Sequence, residues 1–140
     1  VIGGHGDTTM IPLTSLAKCK GELLSNIVSK EELSKIASET MVGGATLTKL
    51  LGTSAWYAPG ASVSYLVNAI VNDTKEVLPC SVYLTGEYNI EDICIGVPSI
   101  IGRNGFEEVV EFDLDSKELE MFSNSVKAVK QTNLALDGLI

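Results

Sequence analysis

The stretch VLPCSVYLTGEYNIEDICIGVPSIIGRNGFEEVVEFDL, residues 77–114, decides the fold class. It contains three runs rich in β-branched and aromatic residues, VLPCSVYL, DICIGVPSII and FEEVVEFDL, and the segments TGEYN and GRNG separate them. The Asn104-Gly105 pair is a strong short-range hairpin signal. We therefore predict three successive antiparallel strands in this part of the chain.

Helical patterns flank these strands on both sides. Ser29 and Glu32 form a predicted capping box. The helix that it starts contains Gly43-Gly44, which favours close approach by another helix or backbone, or a kink. Pro59 suits the first turn of a second helix, in which we expect these residues to be buried: Val63, Leu66, Val67, Ile70 and Val71.

A second capping box, Asp115 to Glu118, opens a closing helix. Its apolar residues share one side at helical spacing: Leu119, Phe122, Val126, Val129 and Leu134. The chain thus reads as a strand and loop, two helices, three strands and a long helix. This order predicts an α+β fold with antiparallel strands packed against long helices.

Composition excludes several classes of function. The chain has 140 residues, which fits one domain, with 45% hydrophobic and 20% charged residues. Its net charge of −8 repels phosphate backbones and anionic lipid, so we expect no nucleic-acid or membrane partner. Cys19, Cys80 and Cys94 form no C-x-x-C pair. We therefore expect buried, inert thiols, no metal site and a cytoplasmic location.

His5 is the only histidine and the leading candidate for chemistry. It follows the short apolar run VIGG, and glycines on both sides strip away side-chain bulk, so that a ligand could approach the ring. Imidazole can accept and return a proton at neutral pH. The alternative is a purely structural histidine. Asp7 is expected to cap a turn rather than to orient the ring.

The residues around His5 and beyond resemble a known family. GGHGD followed shortly by a proline resembles the catalytic-histidine segment of the lactate/malate dehydrogenases. The resemblance continues in order through GGATLTKLLGTSAWYAPGASV (43–63), VLPCSVYLTGEY (77–88) and IGVPSIIGRNGFEEVVEFDL (95–114). The double glycine of GGHGD, the APG turn and the LPC strand are most similar to the bacterial malate branch that resembles lactate dehydrogenases. One departure is the four residues, rather than three, between Asp7 and Pro12.

The resemblance implies that residues 1–140 are the C-terminal substrate-binding and catalytic domain. Because the sequence starts at Val1 with a strand end, we expect a piece of a longer chain, whose N-terminal Rossmann domain binds most of the NAD. His5 would take the hydroxyl proton of L-malate as oxaloacetate forms and would donate it in the reverse reaction. Gly4, Ser54 and Ala55 would contact substrate, and Pro59 would lie near the nicotinamide.

Other residues have less specific expected roles, and alternatives stay open. Arg103 is expected to be a solvated turn residue, whereas Trp56 and Tyr57 are expected in packing or subunit contacts. The complete enzyme would be a homodimer or homotetramer. A lactate or other 2-hydroxy-acid dehydrogenase is an alternative, as is a non-catalytic folding or assembly module formed by this chain alone.

Overall fold

The structure is a computed structural model that describes residues 1–136; the last four residues of the predicted domain lie outside the described part. The chain divides into two compact units. One contains the residues up to Thr46 and those from Leu114 onward, and the other contains Leu47–Asp113.

The first unit starts with two small antiparallel strand pairs. Strand β1 (Ile2–Gly3) pairs with β2 (Met10–Ile11), as the strand-end character of VIGG predicts. Strand β3 (Lys18–Cys19) pairs with β4 (Glu22–Leu23). Their two-residue turn takes positive φ at both positions, Lys20 and Gly21, which is the hairpin geometry that matches strand twist.

Two predicted helices contribute to this unit, one of which continues past Thr46 into the second unit. A short helix α1 (Leu24–Ile27) was not predicted. Helix α4 (Ser116–Asn133) begins with the predicted capping box, in which Glu118 N–H donates to Asp115 (2.8 Å) and Asp115 N–H donates to Glu118 (3.1 Å). Apolar residues from β1, β2, the segment after β2 and α4 are buried: Ile2, Ile11, Leu13, Phe122 and Val126.

Helix α2 (Lys30–Leu51) also begins as predicted. Ser29 N–H donates to Glu32 (2.9 Å), and Glu32 N–H donates to the Ser29 hydroxyl (3.2 Å). The helix continues through Gly43-Gly44 without a break. Apart from the helix's own backbone and chain neighbours, no described atom lies within 4 Å of a Cβ built on either glycine. The predicted close approach is therefore not made within residues 1–136.

The second unit contains helix α3 (Tyr57–Asn72) and a three-stranded antiparallel meander. Strands β5 (Glu76–Thr85) and β6 (Glu91–Gly102) confirm the first two predicted strands. Strand β7 (Gly105–Val109) confirms the third, but it ends well before the predicted Leu114. The β6–β7 hairpin is also confirmed, and Gly105 rather than Asn104 takes the positive φ, at 87°. The inward face of the sheet is apolar and buried, with Val82, Leu84, Ile93, Ile95 and Val97.

Charged groups fix the turns of this second unit. Asp73, at the C-terminal end of α3, accepts a hydrogen bond from the Arg103 backbone N–H (2.7 Å). Lys75 binds Asp73 (3.0 Å) and Glu107 (2.5 Å). These bonds tie the α3–β5 connection to the β6–β7 turn. Arg103 is an exposed turn residue, as predicted.

Burial was predicted less well than secondary structure. Helix α3 faces the sheet through Ala69, with Leu66 and Ile70 half-buried, so the predicted burial of Val63, Val67 and Val71 is wrong: they are 60%, 50% and 68% exposed. Of the predicted stripe at the end of the chain, Phe122 and Val126 are buried, whereas Leu119 and Leu134 are exposed, so their predicted place on the apolar side is wrong.

The prediction of buried thiols is also wrong. Cys19 and Cys94 are exposed, and Cys80 is half-buried. The alternation of a strand explains Cys94, because its neighbours Ile93 and Ile95 point inward and Cys94 must point outward. Partial burial raises the pKa of the Cys80 thiol. Within residues 1–136, no helix has the length and apolar character needed to span a membrane.

Candidate active site

His5 lies in the tight turn between β1 and β2, and its side chain is exposed. The backbone N–H groups of Thr9 and Met10 both donate to the Gly6 carbonyl at 2.9 Å. Gly6 N–H donates to the Thr9 hydroxyl at 3.0 Å. The imidazole is thus presented to solvent on a closed, hydrogen-bonded turn, which is what an acid–base group needs in order to reach a ligand.

The glycines next to His5 have a packing role as well. A Cβ on Gly3, whose φ is +92°, would lie 2.5 Å from the Thr9 carbonyl oxygen. A Cβ on Gly4 would lie 2.6 Å from the Thr9 hydroxyl and 3.0 Å from Val129 Cγ2. The chain before His5 is therefore pressed against both the rest of the turn and α4. A side chain at either position would force these neighbouring atoms to shift.

Ser125 joins α4 to both ends of this turn. Its hydroxyl accepts a hydrogen bond from Gly4 N–H (2.9 Å) and donates one to the Thr9 carbonyl (2.7 Å). The residue is 3% exposed. One buried hydroxyl thus uses its donor and its acceptor capacity on the two backbone segments that flank His5.

The prediction that Asp7 caps the turn is wrong. Asp7 is exposed, and its carboxylate makes no hydrogen bond within residues 1–136; the Thr9 hydroxyl makes the side-chain bonds of the turn instead. No His5–Asp7 bond forms either, as expected of an aspartate that does not orient the ring.

The other predicted site residues lie in the second unit, whereas Gly4 and His5 lie in the first. Ser54 is exposed and Ala55 half-buried in the segment between α2 and α3. Pro59 is exposed in the first turn of α3, which confirms its predicted place in the helix. Apart from its own helix backbone and chain neighbours, no described atom lies within 4 Å of a Cβ built on the following Gly60. A flat apolar ring could therefore approach this helix start.

Trp56 and Tyr57 do not pack into the interior of the chain. Their side chains are 62% and 86% exposed, and their rings meet edge to face with centroids 6.3 Å apart. Packing inside this chain is thus the wrong interpretation of these residues. Within residues 1–136, no group of three or more His, Cys, Asp or Glu side chains could hold a metal ion.

Known proteins resemble the chain along its whole length. The family model for the lactate/malate dehydrogenase α/β C-terminal domain matches residues 1–134. The chain belongs to the lactate/malate dehydrogenase family. It is 61% identical over 97% of its length to a malate dehydrogenase of Bacteroides thetaiotaomicron, and 59% identical over 100% to one of Flavobacterium johnsoniae. It spans 44% and 45% of those relatives, so it covers less than half of a family enzyme.

Solved dehydrogenase structures share this fold. The malate dehydrogenase of Aeropyrum pernix superposes with a TM-score of 0.88 at 40% identity, over 94% of this chain and 44% of that one. The lactate dehydrogenase of Eimeria maxima with NADH and oxamate gives 0.92 at 33% identity, over 99% and 44%. The α+β prediction and the family resemblance are both confirmed.

Sequence reasoning did not single out Ser125 or Thr9. A signal was available for Ser125, which lies three residues after Phe122 and four before Val129, within the apolar stripe of α4. A polar residue at such a position is buried with a partner to satisfy. Nothing in the sequence identified that partner, which lies 121 residues away at Gly4.

Proposed function

We propose that residues 1–140 form the C-terminal substrate-binding and catalytic domain of an NAD-dependent malate dehydrogenase. The single observation that carries this proposal is an exposed, sole histidine on a glycine-tight turn, in a chain 61% identical to a malate dehydrogenase over 97% of its length. His5 is then the group that exchanges a proton with substrate.

The chemistry asked of His5 is general acid–base catalysis. Neutral His5 accepts the C2 hydroxyl proton of L-malate as the C2 hydrogen leaves with its electron pair and the carbonyl of oxaloacetate forms. In the reverse direction, protonated His5 donates a hydrogen bond and then the proton to that carbonyl oxygen. Bound NAD supplies the nicotinamide that takes up or returns the hydride. Gly4, Ser54 and Ala55 are the proposed substrate contacts.

The described residues fit only a small part of the cofactor. Pro59 is exposed at the start of α3 with open space beside Gly60, which suits contact with the flat nicotinamide ring. The sequence contains neither a G-x-G-x-x-G unit leading into a helix nor a P-loop, the elements that hold phosphates. Most of the NAD would therefore be held by a separate N-terminal Rossmann domain.

The substrate we favour is malate rather than lactate. Relatives at 61% and 59% identity are malate dehydrogenases, whereas the lactate dehydrogenase of Eimeria maxima is 33% identical. The test is steady-state NADH oxidation by the complete enzyme expressed from its full reading frame, with oxaloacetate and pyruvate compared as substrates. Oxaloacetate should be preferred in kcat/KM, and a preference for pyruvate would refute the malate assignment.

His5 is tested in that same enzyme. His5→Asn should lower kcat by about 10²- to 10⁴-fold, the usual contribution of a general acid–base group. The 140-residue chain alone should show no turnover, because it lacks a positioned hydride donor. The proposal would be refuted if the 140-residue chain alone reduced oxaloacetate with equivalent oxidation of NADH, or if His5→Asn kept full activity.

Assembly is the second proposed role of this domain. Leu50, Trp56 and Tyr57 are 78%, 62% and 86% exposed, and large apolar side chains in solvent favour covered surfaces. We propose that they lie in contacts of a homodimer or homotetramer, or against the nucleotide-binding domain, in a cytoplasmic enzyme with no nucleic-acid or membrane partner. If this domain served assembly alone, His5→Asn would leave the activity of the complete enzyme unchanged.

A further inference from the structure

We propose that Ser125 is a positioning residue for His5: it fixes the turn that holds the histidine by binding both of its ends. This inference rests on the proposed function, since it assigns Ser125 a role in the work of His5. It concerns a residue 120 positions away in sequence, on a different element of the same unit.

The hydrogen bonds of Ser125 are unusual for a serine within a helix. Such a hydroxyl commonly returns to a carbonyl one turn back on its own helix, as Thr132 does to Ala128 at 3.0 Å. Ser125 instead donates to Thr9 (2.7 Å) and accepts from Gly4 (2.9 Å). Both partners are backbone groups, so the bonds restrain the path of the chain rather than a side chain.

The two bonds act at the points where the turn could move. Gly4 directly precedes His5, and Thr9 ends the segment that returns to β2. The glycines allow this contact, because a Cβ on Gly3 would lie 2.8 Å from the Ser125 hydroxyl oxygen. Without the hydroxyl, Gly4 N–H and the Thr9 carbonyl lose their shared partner and the turn is free to separate from α4.

A shift of this turn would displace the imidazole from its substrate. Misplacement of a catalytic group by 1 Å can cost on the order of 100-fold in rate. In the complete enzyme, Ser125→Ala should therefore lower kcat about 10- to 100-fold and leave the dissociation constant for NADH within about twofold. The matched control is Ser123→Ala, which removes an exposed hydroxyl from the same helix and should leave kcat unchanged.

Two further measurements separate positioning from a general loss of structure. In a His5→Asn background, Ser125→Ala should cost less than about twofold in kcat, because residues that act as a unit are not additive. Ser125→Cys keeps the shape of the side chain, but its larger sulfur offers only weak hydrogen bonds, so it should also lose rate. In hydrogen exchange, the Gly4 amide should exchange at least about tenfold faster in both Ser125 variants than in Ser123→Ala.

The outcomes are distinct. Three results would each overturn the role of Ser125. The first is equal kcat for Ser125→Ala and Ser123→Ala, and the second is wild-type kcat for Ser125→Cys. The third is a fall in kcat on Ser125→Ala that is equally large in the wild-type and His5→Asn backgrounds. A fully active His5→Asn enzyme would instead overturn the proposed function, and the positioning role with it. Accelerated Gly4 exchange in that case would leave Ser125 as a structural tie only.

Discussion

Alanine in place of Gly4 tests whether the turn around His5 is held at close contact. The new methyl group would lie 2.6 Å from the Thr9 hydroxyl oxygen, 2.9 Å from Thr9 Cβ and 3.0 Å from Val129 Cγ2, whereas ordinary contact begins at 3.4 Å. The backbone at residue 4 and these atoms must therefore move apart by about 0.4 to 0.8 Å. The φ of Gly4 is not positive, so an alanine at this position adds no backbone strain to the overpacking.

That movement has two measurable consequences. Overpacking of this kind costs about 1 to 3 kcal/mol in the free energy of unfolding, which corresponds to a fall in Tm of roughly 3 to 10 °C for 140 residues. If His5 is the acid–base group, kcat for oxaloacetate reduction should also fall about 10- to 100-fold in the complete enzyme. Thermal unfolding by circular dichroism and steady-state kinetics measure the two effects.

The matched control is alanine at Gly6, on the other side of His5. A Cβ there meets only the Thr9 hydroxyl, at 3.1 Å, and Gly6 also has no positive φ. The smaller contact is offset by the lower entropy of the unfolded chain, worth about 0.4 to 1 kcal/mol. Gly6→Ala should thus change stability by less than about 1 kcal/mol and kcat by less than about threefold. If Gly6→Ala proved as harmful as Gly4→Ala, the reasoning from contact distances would be refuted.

Three further predictions concern the frame around the site. Glu118→Ala should lower the free energy of unfolding by about 2 to 4 kcal/mol in denaturant titration. Glu118 is 6% exposed, accepts a hydrogen bond from the Ser15 hydroxyl (2.6 Å) and completes its capping box. The control is Glu32→Ala, in the exposed capping box, which should lower the free energy of unfolding by less. The Arg103 N–H bond lowers the pKa of Asp73 below its ordinary 3.8. The stabilisation from this bond is therefore complete above pH 3.8 and is lost as the pH falls through the lower pKa of Asp73 in the folded state. Asp73→Asn should thus make the free energy of unfolding fall less steeply at acid pH. Gly105→Ala, at φ 87°, should cost roughly 1 to 2 kcal/mol by the same titration, and an unchanged midpoint would contradict the assigned turn.

Local patterns predicted the elements because their causes are local. Both capping boxes form as expected, since a serine or aspartate and a glutamate three residues later satisfy each other's backbone groups wherever a helix starts. The meander follows from alternation along the strands and from the glycine that ends the β6–β7 turn. The missed helix α1 is only four residues long, too short for a helical period to show.

Contacts between distant segments could not be predicted in the same way. Periodicity places Val63, Val67 and Val71 together on α3, but it does not say which face meets the sheet, and the face around Ala69 does. For the candidate site, the sequence led to His5 but not to its support. Thr9 rather than Asp7 closes the turn, because hydrogen-bond reach depends on backbone geometry that spacing alone does not fix.

The glycines of GGHGD are best explained by rigidity. A glycine-rich segment alone favours a flexible loop, and such a loop would hold a proton donor poorly. Here Gly3 and Gly4 instead let the chain approach Thr9 and Ser125 to distances that any side chain would prevent, and the hydrogen bonds that result close the turn on itself and on α4. A group that must meet a substrate at a defined distance is most effective on such a fixed support. If His5 is the proposed acid–base group, closure around a substrate should come from elements other than the turn that holds His5.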